Sequence, residues 1–96
     1  MSKSYEATGI VHKLMDLDVY SETFRKREFV LKIQEPDNEF SELVKFQTIN
    51  NSVAQLDNVT EGDNVTVQFN LKGREFDKEN IRMYFTNLDA WKITVL

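Results

Sequence analysis

The chain has no cysteine, a single proline, a single histidine and three glycines among its 96 residues. Without cysteine there is no disulfide framework, no thiolate metal ligand and no thiol nucleophile. The glycines form no phosphate-cradling loop, and His12 has no second histidine or cysteine to join in acid–base or metal chemistry. Asp16 and Asp18 alone fall far short of a calcium loop and read as a polar turn. No cofactor and no enzymatic activity are therefore expected. A run of about 18 apolar residues able to span a membrane is missing, and Met1–Glu6 lacks the apolar segment of a secretory signal. The cytoplasm is the expected compartment, where the sequons at Asn50, Asn58 and Asn64 would carry no glycan.

What is present is ordinary globular material, 41% hydrophobic and 29% charged, in one domain spanning residues 1–96. A net charge of −4 and a pI near 4.9 argue against coating nucleic acid by bulk charge alone. Distribution says more than the total. Acids cluster at Asp16/Asp18/Glu22, at Glu35/Asp37/Glu39/Glu42 and at Asp57/Glu61/Asp63. Arg25, Lys26, Arg27, Lys32, Lys45, Lys72, Arg74, Lys78 and Arg82 lie elsewhere, on or beside expected strands. Phe24–Ile33 concentrates the pattern: three consecutive cations head a strand whose Phe29, Leu31 and Ile33 face a core. Cations and aromatics carried on a sheet can hold phosphates and stack the bases of a single strand.

Periodicity predicts five strands. The first runs from Tyr5 to Met15, with Gly9 marking a bulge or bend. The second covers Arg25–Gln34 and ends at a turn, Glu35–Asn38. The third covers Ser41–Thr48, with Val44 and Phe46 inward and Leu43, Lys45 and Gln47 outward. Asn50, Asn51 and Ser52 offer N-caps to one or two helical turns at Val53–Leu56. The fourth strand follows Gly62-Asp63, alternating Val65, Val67, Phe69 and Leu71 with Thr66, Gln68, Asn70 and Lys72. Arg74–Asn80 reads as a polar loop before a fifth strand, Ile81–Val95. Five strands with a short helix between the third and fourth is the order of an OB-fold, an all-β, partly open barrel. A five-stranded SH3-like barrel is the competing architecture, and it normally lacks a capped helix there.

Gly9-Ile10-Val11, Arg27–Leu31, Val44-Lys45-Phe46, Val53–Leu56, Glu61–Val67, Gly73–Phe76 and Tyr84–Ile93 occur in the order seen in a known family. Across nearly the whole chain the sequence resembles the single-stranded DNA-binding protein superfamily, and most of all short OB-fold proteins of bacteria and their phages. The resemblance implies sequence-tolerant binding of single-stranded DNA by the outer face of the second and third strands and the loop joining the last two. It also implies an oligomer, a role in DNA replication, recombination or repair, and a bacterial or phage-infected host cell. The family's DNA-coating members end in a flexible tail with an acidic tip. Here Trp91–Leu96 reads as strand, so recruitment through such a tail is not expected.

The candidate nucleic-acid residues follow. Arg25, Lys26 and Arg27 would pair with phosphates, although alternation lets at most two share a face; otherwise they are a solvated strand end. Phe24, ahead of Tyr20, would stack on a base or fold back as a barrel plug. Phe76, in the polar loop with Arg74, Lys78 and Arg82, reads as a stacking residue. Tyr84 and Phe85 point to opposite faces, so one of them should be core. Lys45, Gln47 and Lys72 lie outward where the fold would run the nucleic acid. Trp91 reads as structural, and outward Val30 and Leu43 are candidates for a dimer interface. A protein-interaction module that never touches nucleic acid is the alternative, with RNA or oligosaccharide binding third.

Overall fold

A computed structural model describes residues 4–34 and 40–96; the turn expected at Glu35–Asn38 lies outside them. Five strands, β1 (Ser4–Val19), β2 (Arg25–Gln34), β3 (Ser41–Ile49), β4 (Asn64–Lys78) and β5 (Ile81–Val95), close into a barrel in the order β1-β2-β3-β5-β4. A 3-10 helix, Asn50–Asn58, lies between β3 and β4. This is the expected OB-fold architecture.

β1 belongs to both sides of the barrel. Ser4–Ile10 pairs with β4 and Ile10–Val19 with β2, so the change of partner falls at Ile10. The bulges lie beyond it, between Val11 and Lys13 and between Leu14 and Leu17, rather than at Gly9. Gly9 serves close approach instead: an added Cβ would overlap the Lys32 carbonyl oxygen and press on Leu31 Cγ at 3.1 Å. The second bulge also explains why β1 continues past the expected end at Met15. It breaks the alternation that Leu17 and Val19 would otherwise continue.

Val11, Phe29, Leu31, Phe46, Leu56, Val59, Val65, Val67 and Ala90 form the core. Phe29 and Phe46 are directly opposed across β2 and β3 and stack at 5.4 Å, while Phe69 meets Phe46 edge-on at 5.0 Å. Such pairs contribute beyond their buried area. The one buried polar side chain among the described residues, Thr48, donates its hydroxyl to the Arg27 carbonyl at 2.8 Å. Val53 and Leu56 in the helix, and Val59 just past its end, are all buried at a spacing of three, the 3-10 repeat. The expected side-chain cap does not form. Asn50 Oδ1 accepts the Arg25 N–H at 3.0 Å instead, joining the helix start to β2.

The largest departure from expectation lies between β4 and β5. Arg74–Lys78 is not a loop: β4 runs to Lys78 and returns through a two-residue turn. Glu79 and Asn80 both have positive φ, 52° and 66°, as a type I′ hairpin requires. Among the described residues β1 pairs with β4 between Ser4–Asn70 and Ile10–Asn64, and β3 meets β5 only at Gln47–Asp89. Among the described residues Leu71–Leu88 is therefore a two-stranded ribbon about 26 Å long that springs from the barrel, its base held by Leu88 packed against the core. Leu71 keeps its inward parity and lies opposite Leu88, which packs against the core, yet Leu71 itself is exposed. The radius of gyration, 14.7 Å, exceeds the roughly 12.5 Å of a compact chain of this length, as a projecting arm would make it.

Candidate nucleic-acid interface

Register decides which side chains share a surface. On the ribbon, Arg74 lies opposite Phe85, Phe76 opposite Met83 and Lys78 opposite Ile81, with Lys72 opposite Asn87. Directly opposed residues in an antiparallel pair project to the same side, so this side carries three cations and four large apolar groups. Phe76 and Phe85 meet edge-to-face at 6.5 Å, and the Arg74 guanidinium lies 5.6 Å from the Phe85 ring. Both rings stay about two-fifths exposed, at 43% and 39%.

The other side of the ribbon is a closed polar network. Arg82 Nε lies 3.0 Å from Glu75 and its Nη2 3.9 Å from Asp77. The Tyr84 hydroxyl donates to Glu75 at 3.2 Å. Charge is thus sorted by strand alternation: Lys72, Arg74 and Lys78 on one side, Glu75 and Asp77 with their partner Arg82 on the other. Arg82 and Tyr84, read from sequence as companions of Phe76, face away from it. Phe85 and Met83 take their place. Neither Tyr84, 72% exposed, nor Phe85 is core, because the ribbon has no core to enter.

By the same parity the cationic side of the ribbon continues the outer surface of the barrel. Gln47 and Asp89, joined by a side-chain hydrogen bond, lie between the two. On that surface Lys13, Val30 and Lys45 form one cross-strand row, and Ile10, Lys32 and Leu43 the next. Lys45 pairs with Glu28 at 3.4 Å. Among the described residues Lys13 and Lys32 form no ion pair. Neither was singled out from sequence as a binding residue. Their signal is positional, in that only the β1–β2 and β2–β3 registers bring them beside Lys45.

The cations at the head of β2 divide between surfaces. Lys26 is on the outer side, its ammonium 5.7 Å from the Tyr20 ring. Tyr20 in turn packs edge-on against Phe24 at 5.4 Å, and its N–H and that of Ser21 both reach the Phe24 carbonyl. Phe24 remains 41% exposed, so this small aromatic cluster sits open beside the barrel rather than plugging it. Arg25 lines an open polar hollow with Glu22, Thr23, Asn50 and Asn51. Arg27 shares the parity of Phe29, and its Nε donates to the Met15 carbonyl at 2.7 Å. That bond serves a carbonyl in the second bulge of β1. Arg27 is thus committed to structure, unlike Lys26.

Trp91 is the extra residue of a bulge between β4 and β5, with its indole N–H on Ser4 Oγ at 3.0 Å. Gln55 fastens the helix to the same bulge through the Trp91 carbonyl and the Ile93 N–H, both at 2.8 Å. Among the described residues there is no group of acidic or histidine side chains able to hold a metal. No helix there is long and apolar enough to cross a membrane.

A family described as a domain of unknown function (DUF3127) matches residues 6–94. No curated protein matches the chain. Solved structures do. The mitochondrial single-stranded DNA-binding protein Rim1 of S. cerevisiae superposes with a TM-score of 0.76 at 14% identity, covering 100% of this chain and 96% of that one. The dimeric N-terminal domain of PriB from Thermoanaerobacter tencongensis gives 0.70 at 15% identity, covering 97% and 94%. A small single-stranded DNA-binding protein from Streptomyces coelicolor gives 0.64 at 16%, covering 99% and 94%. At these identities the likeness establishes a shared OB-fold, in agreement with the superfamily resemblance read from the sequence.

Proposed function

The chain belongs to the DUF3127 family, and we propose that it is a sequence-tolerant single-stranded DNA-binding protein. It binds without chemistry, by phosphate pairing and base stacking, as a homo-oligomer serving DNA replication, recombination or repair. The observation that carries this reading is the sorting of charge on the β4–β5 ribbon. An acidic protein of net charge −4 places Lys72, Arg74 and Lys78 beside Phe76 and Phe85 on one side of a projecting arm. Phosphates need the cations and unpaired bases need the exposed rings. Lys13, Lys32 and Lys45 extend the same surface over the barrel, and Lys26 with Tyr20 and Phe24 bounds it. Arg27, Arg82 and Tyr84 contribute through structure instead. The fold shared with Rim1 and the Streptomyces protein, both single-stranded DNA-binding proteins, supports the reading.

Fluorescence anisotropy with labelled oligo-dT tests it. Binding is expected at low salt and falls as salt rises, with a logarithmic slope of about −0.7 per phosphate contact. No binding at low salt overturns the proposal and leaves the protein-interaction reading, which the acidic total charge favours.

A further inference from the structure

Among the described residues the ribbon has two free edges, and they are not alike. On β4, four of the five residues Arg74–Lys78 are charged, which is how proteins keep an exposed edge from pairing with another chain. On β5, Ile81–Phe85 reads Ile-Arg-Met-Tyr-Phe, with no proline, no glycine, no lysine and one charge, Arg82. That charge is already satisfied across the ribbon by Glu75 and Asp77. Among the described residues β5 meets β3 only at Asp89, and Ile81–Phe85 pairs with β4 alone. One row of its backbone groups therefore faces outward without a neighbouring strand.

We propose that the free β5 edge, Ile81–Phe85, pairs antiparallel with the same segment of a second copy about a twofold axis at Met83. This rests on the reading that the chain self-associates, and not on its binding DNA. The segment complements itself in that register. Met83 meets Met83, and Ile81 meets Phe85 twice, all on the apolar side. On the other side Arg82 meets Tyr84 twice, a cation against an aromatic ring. No like charges are opposed. A register centred further along β5 would bring in Thr86–Leu88, which converge on Glu28, Lys45, Phe46 and Gln47 of the barrel and leave less room for a second strand. Five residues is an ordinary strand length.

The outer apolar residues Val30 and Leu43 make a poorer contact between copies. Val30 lies between Lys13 and Lys45, and Leu43 lies opposite Lys32, so a twofold there would oppose cations. Edge pairing through β5 instead gives a continuous four-stranded sheet, β4-β5-β5-β4. Opposed residues share a side, so two sets of Arg74, Phe76 and Phe85 come to lie on one surface. A nucleic-acid strand crossing it would meet both.

The experiment is light scattering of the full chain without DNA, for wild type, Tyr84→Phe and Tyr84→Lys. Both substitutions lose the hydroxyl bond to Glu75, so they perturb the ribbon alike, and a lysine at 84 can pair with Glu75 across it. Only Tyr84→Lys places a cation opposite the partner's Arg82. Wild type and Tyr84→Phe are expected to have the same mass, at least twice the 11.3 kDa of one chain. Tyr84→Lys should halve it, with a dimer constant weakened about tenfold or more. Hydrogen exchange on the wild type gives an independent readout: outward amides of Ile81–Phe85 should gain protection as protein concentration rises. A monomeric wild type overturns the proposal, as does a Tyr84→Lys mass equal to that of Tyr84→Phe. Protection of these amides that ignores concentration overturns it too. Failure to bind oligo-dT would leave this result untouched and would count against the DNA-binding reading alone.

Discussion

Arg74 and Arg82 sit eight residues apart on one ribbon, and replacing either with alanine takes the formal charge from −4 to −5. If affinity for a nucleic-acid strand depended on total charge, the two substitutions would act alike. The structure makes them differ. Arg74 lies over Phe85 on the side with Lys72 and Lys78, whereas Arg82 is held by Glu75 and Asp77 on the reverse. Losing one phosphate contact on a single strand flattens the logarithmic salt slope by about 0.7. Arg74→Ala should therefore flatten the slope by that amount, and Arg82→Ala should leave it unchanged. Phe85→Ala should weaken binding by about 1–3 kcal/mol per stacked base without altering the slope. The assay is oligo-dT anisotropy across a salt series, with the oligomeric mass of each variant checked by light scattering. Equal flattening by Arg74→Ala and Arg82→Ala would refute the assignment of the binding side.

Three further outcomes follow from the fold. Gly9→Ala should destabilise the barrel by about 1–3 kcal/mol, because its methyl group would meet the Lys32 backbone; a thermal midpoint equal to wild type would contradict this. Arg27→Ala should cost about 1–2 kcal/mol through the lost bond to the Met15 carbonyl, while oligo-dT affinity at matched folded fraction changes little. A stable variant with lost affinity would return Arg27 to the binding surface. Glu79→Gly should stabilise the ribbon by about 1 kcal/mol, since a non-glycine residue holds positive φ there. Slower amide exchange across Phe76–Met83 would register it, and faster exchange would refute it.

Sequence alone determined the barrel. Phe29/Leu31, Val44/Phe46 and Val65/Val67 each face one core from a half-buried strand, and that contact imprints a period of two on the residues. Where a strand has solvent on both sides the imprint fades, so Arg74–Lys78 read as a loop. The alternation of Lys72, Arg74, Phe76 and Lys78 against Glu75 and Asp77 was legible there, as a sorting of charge rather than of hydrophobicity. What the tertiary structure decided was partnership. The β4–β5 register sets Phe85 beside Arg74 and turns Tyr84 and Arg82 to the reverse. The β1–β2 and β2–β3 registers gather Lys13, Lys32 and Lys45, and a bulge in β1 takes Arg27 for its carbonyl. The β4–β5 register follows from the two-residue turn at Glu79 and Asn80. The β1–β2 and β2–β3 alignments and the Arg27 contact depend instead on the inward faces of all the strands meeting around one core.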